Sequence, residues 1–251
     1  MQNKNVMESF IGVYGFTNLE QLELVLKDVE ISVPVYFGIK IDDTNMGRRN
    51  RWRQARLSMW DDLVAEHVGI KSFIYLQSHE ESELIADLEF IFESCKRIPE
   101  MLILCPDELS SGTLHFIRES YPNILIGLDV KELDFTVGRK AEFWAPKVVA
   151  QFSGIVDFYY VDRENDSLIT YGLERIGEDL DQLTWLGMEG PFLISGGLQD
   201  ENVDRLSTVL DERSQLSILA GCALCDDYGD LEARRVNRFL RKAVSLFREK
   251  E

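Results

Sequence analysis

The stretch FLISGGLQDENVDRL, residues 192–206, runs from apolar strand-like residues into two adjacent glycines and then into a helix start carrying acids and an asparagine. Glycine lets backbone N–H groups approach an anion with no Cβ in the way, and a following helix start adds positive potential, so the chemistry this spacing suits is recognition of a phosphate. A second turn of the same kind, Ala220–Gly221, closes the apolar run LSILA. Ser195, Gly196, Gly197, Ala220 and Gly221 are therefore the candidate phosphate cradle. The same glycines also suit plain tight turns between a strand and a helix.

Other groups with chemical potential stand at the ends of apolar runs: Lys40 and Asp42, Asp129 and Lys131, and Asp162. Carboxylates and lysines converging on one mouth could do acid–base work or hold a metal-bridged phosphate. Strand-end charges also simply solvate loops. The segment RRNRWRQAR, residues 48–56, holds five arginines and no acid. Arg48, Arg49 and Arg51 on a loop could clamp an anionic substrate, since a guanidinium binds carboxylate or phosphate through two parallel hydrogen bonds. Their alternative role is a solvated basic helix start. Cys222 and Cys225 form a C-x-x-C pair, a pattern of zinc sites and redox pairs. Zinc needs two more ligands, and Cys105 with three scattered histidines is a poor supply, so free buried cysteines and no metal are expected. His67 and His115 fall on expected helices, and His79 lies just beyond a strand.

These positions need elements to hold them. Eight strand-like runs recur, at FIGVYG, VPVYFGIKI, KSFIYLQ, MLILC, NILIGLDV, DFYYVD, PFLISGG and LSILAG. Most are continuously apolar, as strands covered on both faces are. Between them lie helical patterns. Thr17 before Glu20 and Ser78 before Glu81 read as capping boxes. Further helices are expected around 56–68, 111–120, 139–152, 172–186, 200–211 and 230–248, with Pro146 bending the 139–152 helix or marking its true start. Eight strand–helix units in 251 residues match an α/β fold of the (β/α)8 TIM-barrel type, one domain over residues 1–251. A doubly wound open sheet is the alternative.

Composition excludes several classes of partner. A net charge of −17 argues against nucleic acid or an anionic membrane as the main partner. The terminal helix carries Arg234, Arg235, Arg238, Arg241 and Lys242, which on so acidic a chain read as a solvated surface rather than a nucleic-acid face. Residues 1–8 hold no apolar run of signal-peptide kind, and no stretch of about 18 apolar residues occurs, so a cytoplasmic protein is expected.

LISGGLQDENV resembles the strand 7 phosphate loop of the phosphoribosylanthranilate isomerase family of (β/α)8 enzymes. VYGFTNLEQ is similar to that family's first unit, and YYVDREND to its sixth strand, which ends in an aspartate acting as general acid. The resemblance implies the barrel fold, a phosphorylated small-molecule substrate and no cofactor. It also implies an aldose–ketose (Amadori) isomerisation of a phosphoribosyl compound, of the kind used in tryptophan biosynthesis. Carried over, the acid that opens the ribose ring is Asp162, and the base that removes the C2 proton falls on Tyr14, where the family has cysteine. The basic residues after strand 2 would then meet the aromatic part of the substrate. Lys40, Arg48, Arg49, Arg51 and Asp129 are the candidate substrate-binding residues.

The chain departs from the family in two places: Tyr14 replaces the cysteine, and RENDSLITYG replaces the glycine-rich segment after the acid. Two other functions are therefore carried alongside. One is a barrel of the same descent that binds a phosphorylated metabolite without isomerising it. The other is a lyase or aldolase using Lys40 or Lys131 as a Schiff-base nucleophile.

Overall fold

A computed structural model describes residues 7–16, 18–28, 32–41, 70–78, 81–106, 110–130, 139–162, 169–226 and 230–248. The eight expected strands are all present: β1 (Ile11–Tyr14), β2 (Val35–Ile41), β3 (Lys71–Ser78), β4 (Met101–Pro106), β5 (Leu125–Asp129), β6 (Phe158–Asp162), β7 (Phe192–Ser195) and β8 (Leu216–Ala220). Every neighbouring pair is parallel, and β1 closes on β8 with Ile11 opposite Ile218, so the sheet is a closed barrel in chain order. The open-sheet alternative is excluded by that closing pair.

The helices among the described residues are α1 (Leu19–Asp28), α2 (Glu81–Ser94), α3 (Ser111–Ser120), α4 (Arg139–Phe152), α5 (Ile169–Trp185), α6 (Ser207–Glu212) and α7 (Ala233–Arg248). Short 3-10 turns at Val203–Leu206 and Cys222–Leu224 follow β7 and β8. The helix expected around 56–68 lies outside the described residues, as do Thr17 and the side chain of Ser78. At α1 the cap comes from Asn18, whose Oδ1 accepts from Gln21 N–H at 3.0 Å. Ser110 caps α3 by accepting from Thr113 N–H at 3.2 Å. α4 continues through Pro146 rather than starting there. After β7 the 200–211 helix is shorter than expected, because a 3-10 turn takes up its first half.

Alternation along each strand sorts the side chains into two cores. One face of every strand, for example Ile11, Phe37, Ile74 and Leu102, packs against the helices. α7 answers it with Val236, Phe239, Leu240, Ala243, Val244 and Phe247, a stripe of residues three and four apart. Each fully buried Phe or Leu of this kind contributes about 1.5–3 kcal/mol.

The other face fills the barrel interior, and it is aromatic: Phe10, Tyr14, Tyr36, Phe73, Tyr75, Phe158 and Tyr160 share it with Met101, Ile103, Cys105, Leu193 and Leu219. So many rings fit because inward glycines stand opposite them. A Cβ on Gly38 would overlap the Phe73 ring, and one on Gly127 would overlap the Phe158 ring. Residues paired in register, Gly38 with Phe73 and Gly127 with Phe158, thus share one volume.

The amino-terminal pole is tied by charge. Asp157 Oδ2 accepts from Ile126 N–H at 2.7 Å and from Arg118 at 2.6 Å, and Arg118 also donates to the carbonyls of Ile124 and Ile155. Glu100 accepts from both Ser72 N–H and Ser72 Oγ. Burial, with the charges of Glu100 and Glu8 nearby, pushes the Tyr36 phenol up to about 12.

Candidate functional site

Strand alternation that points Tyr160 into the barrel also points Asp162 inward, and the same parity brings Tyr14, Lys40, Gln77, Cys105, Asp129, Ser195 and Gly221 to the carboxyl-terminal mouth. The strands thus bring together Tyr14, Lys40, Asp129, Asp162, Ser195 and Gly221 of the residues singled out from sequence. Ala220 has the opposite parity: its methyl belongs to the helix-side core, so only its backbone borders the mouth. Arg48, Arg49, Arg51, Asp42, His67, His79 and Lys131 lie outside the described residues. His115 is exposed on α3, away from the mouth.

The turn after β7 has a defined construction. Gly196 and Gly197 have φ of 137° and 63°, a region that strains any residue with a Cβ. Asn202, 7% exposed, holds the turn from below: its Oδ1 accepts from Gln199 N–H at 2.9 Å and its Nδ2 donates to the Gly197 carbonyl at 2.8 Å. Gln199 O in turn accepts from the N–H groups of Asn202 and Val203. None of these bonds uses the N–H of Gly196, Gly197 or Leu198. Ser195, 2% exposed, precedes the turn and pairs in register with Asp162 on β6.

At β8 the glycine has a different cause. The ring of Tyr14 lies where a Cβ on Gly221 would be, so that position must be glycine for Tyr14 to pack. Tyr14 is only 5% exposed, and its hydroxyl meets Cys222 Sγ at 3.7 Å. Leu224 and Cys225 close the following turn by donating to the carbonyls of Gly221 and Cys222. The cysteines depart from the expectation of buried thiols: Cys222 is exposed and Cys225 half-buried, while Cys105 is buried. Among the described residues, no group of three or more His, Cys, Asp or Glu side chains is placed to hold a metal ion.

Beneath the mouth lies a polar core that the sequence reading missed. Tyr75 Oη donates to Asp129 Oδ2 at 2.6 Å, with Asp129 1% exposed. Lys40 Nζ stands 5.1 Å from the centre of the Tyr75 ring, in the range of a cation–π contact. Tyr160 meets Tyr75 edge-on at 5.6 Å between centroids. Burial, then the charge of Asp129, pushes the Tyr75 phenol far above its ordinary range. Burial likewise raises Tyr160, with Asp162, Tyr14, Asp129 and Tyr75 adding to it. Both phenols therefore remain protonated at neutral pH, and Tyr75 acts as a donor, not a base. The available signal was parity: Tyr75 and Tyr160 each stand two residues before a polar strand end.

The basic face of α7 is engaged within the chain. Arg238 donates to Asp200 at 2.7 Å, Lys242 to Asp204 at 2.8 Å and to Asp200 O, Arg235 to Cys225 O, and Arg241 to Asp28 O. No helix among the described residues is long and apolar enough to cross a membrane.

No model of a known protein family matches the chain, and no curated protein matches it in sequence. Solved structures do match. The barrel is similar to phosphoribosyl anthranilate isomerase from Thermus thermophilus, with a TM-score of 0.61 at 14% identity over 96% of this chain and 100% of that one. The Thermotoga maritima isomerase gives 0.60 at 13% identity over 95% and 100%. A phosphoribosyl anthranilate isomerase in complex with reduced 1-(o-carboxyphenylamino)-1-deoxyribulose 5-phosphate gives 0.59 at 13% identity, again over 95% and 100%. At such identities the likeness establishes the fold, and function must be argued from the site.

Proposed function

We propose that this barrel is an enzyme that binds a phosphorylated small molecule at its carboxyl-terminal mouth and isomerises a phosphoribosyl aldose to the ketose. The observation that carries this reading is the pairing of Asp162 with Ser195 in register, followed directly by the Asn202-braced turn Gly196–Gly197. On this reading the Asp162 carboxyl group and the backbone N–H groups of that turn serve the same ligand. Ser195, Gly196 and Gly197, with the backbone of Ala220 and Gly221, form the phosphate cradle. Asp162 protonates the ribose ring oxygen and opens the ring. Loss of the C2 proton and reprotonation at C1 complete the transfer. Lys40 and Asp129 supply polar contacts, and Arg48, Arg49 and Arg51 supply the anion clamp.

Tyr14 stands at the base position, and a phenol of ordinary pKa is ionised to only about one part in a thousand at neutral pH. Its hydroxyl lies 3.7 Å from the Cys222 thiol. This observation supports a second reading, in which the barrel binds the phosphorylated metabolite without turning it over.

Two measurements test these readings. Ribose 5-phosphate, compared with ribose at equal concentration, is expected to raise the unfolding midpoint. Saturation to about 100 times the dissociation constant stabilises by about 2.7 kcal/mol. No shift with the ester would remove the cradle. Turnover of phosphoribosylanthranilate that is lost in Asp162→Asn supports the isomerase. Turnover near wild type in that variant would remove Asp162 as the acid, and binding with no wild-type turnover would favour the second reading.

A further inference from the structure

The C-x-x-C pair is not used by the isomerase reading, yet its geometry is specific. Cys222 opens the 3-10 turn after β8, and Cys225 closes it by donating its N–H to Cys222 O at 3.1 Å. A turn closed by such an i to i+3 bond keeps its end Cα atoms within about 7 Å, and disulfides span about 4.4–6.8 Å between Cα atoms. Both sulfurs gather around one residue. Cys225 Sγ lies 3.9 Å from the carbonyl of Gly221, and Cys222 Sγ lies 3.7 Å from the hydroxyl of Tyr14, whose ring covers Gly221. Exposure divides them into an accessible thiol, Cys222, and a more sheltered one, Cys225. That is the division of labour of an attacking and a resolving cysteine.

We propose that Cys222 and Cys225 are a redox-modification site that takes a low-molecular-weight disulfide such as glutathione disulfide and closes to an intrachain disulfide at the rim of the barrel mouth. The thiolate of Cys222 attacks one sulfur of the small disulfide, forming a mixed disulfide and releasing one thiolate, which takes up the proton Cys222 lost. The thiolate of Cys225 then attacks Cys222 Sγ, displacing the second small thiolate, which takes up the proton from Cys225. The protein dithiol is oxidised by two electrons and one small disulfide is reduced to two thiols. Once ionised, the Cys222 sulfur can only accept, and the Tyr14 hydroxyl 3.7 Å away is placed to donate to it, which favours the thiolate that makes the first attack. Closing the disulfide draws Cys222 Sγ toward Cys225 and away from Tyr14. A consequence of this movement for ligand binding at the mouth rests on the function proposed above, whereas the modification does not.

The full chain is equilibrated in glutathione buffers from reducing to oxidising, quenched with an alkylating agent in denaturant and mapped by peptide mass spectrometry. The expected result is concerted loss of the Cys222 and Cys225 thiols as one 222–225 linkage, with Cys95 and Cys105 alkylated throughout. Cys225→Ser and Cys225→Ala are each expected to stop at a single glutathione on Cys222. An oxidised wild type without the 222–225 linkage, or glutathione that fails to accumulate on Cys222 in both variants, would overturn the proposal. Ribose 5-phosphate stabilisation, read on the same reduced and oxidised samples, separates the two ideas. Binding by the reduced form with no disulfide removes only the redox site. A disulfide with no binding by the reduced form removes only the phosphate reading.

Discussion

The phenol of Tyr75 donates a 2.6 Å hydrogen bond to the carboxylate of Asp129 inside the closed barrel, directly beneath the mouth. Replacing Tyr75 with Phe keeps the ring and removes the donor. A hydrogen bond to a buried charged group is worth about 1.5–3 kcal/mol, so Tyr75→Phe should lose that much in urea unfolding. A loss below a few tenths of a kcal/mol would mean the carboxylate is held by its other neighbours alone.

Alkaline pH should unfold the protein through its buried phenols. The folded-state values of Tyr36, Tyr75, Tyr159 and Tyr160 all lie above the ordinary 10.0, so the unfolded chain gives up these protons first. Their stabilisation is complete below pH 10 and is lost progressively as pH rises above 10, for Tyr36 over the range from 10 to about 12 and for Tyr75 and Tyr160 continuing to higher pH. Tyrosinate absorbance and circular dichroism followed in one titration should show buried phenols ionising together with loss of structure. Full ionisation near pH 10 with the fold intact would contradict the burial.

Gly127 and Phe158 should behave as one unit. Gly127→Ala forces a methyl group into the Phe158 ring, and overpacking of this kind costs about 1–3 kcal/mol. Phe158→Leu combined with Gly127→Ala should cost less than the sum of the two single changes. Strict additivity in denaturant unfolding would show that the ring moves aside freely.

Asn202 offers a local test of the β7 turn. Asn202→Asp keeps an acceptor for Gln199 N–H but sets an oxygen against the Gly197 carbonyl, in place of the present amide donor. A cost of about 1–3 kcal/mol in stability is expected for that unmatched pair of acceptors. The stabilisation by ribose 5-phosphate should also shrink. A variant as stable and as responsive as wild type would show that the turn needs no brace.

The barrel itself was legible because its strands are buried on both faces and read as continuous apolar runs such as MLILC and LSILA. The isomerase-like ends of those runs pointed to the same fold that the solved structures share. The stripe of α7 was equally plain, since three-and-four spacing determines its buried face. The site was legible only in part. Asp162 and Ser195 stand at strand ends, where parity and register bring them together, but the polar core under them depends on side chains from β3, β5 and β6. No local pattern relates Tyr75 to Asp129, which are 54 residues apart. At Gly221 sequence does not show the packing reason for glycine, because the place of its missing Cβ is filled by a ring from the far end of the chain. Asn18 caps α1, while the capping box read on Thr17 falls outside the described residues.

The ring-and-glycine pairs of the interior also govern how this barrel can diverge. Where Gly38 meets Phe73, Gly127 meets Phe158 and Gly221 meets Tyr14, neither partner can enlarge unless the other shrinks. Drift at these positions must therefore proceed by compensated double steps, and a homologue that gains a side chain at Gly221 is expected to have lost the aromatic ring at Tyr14 in the same lineage.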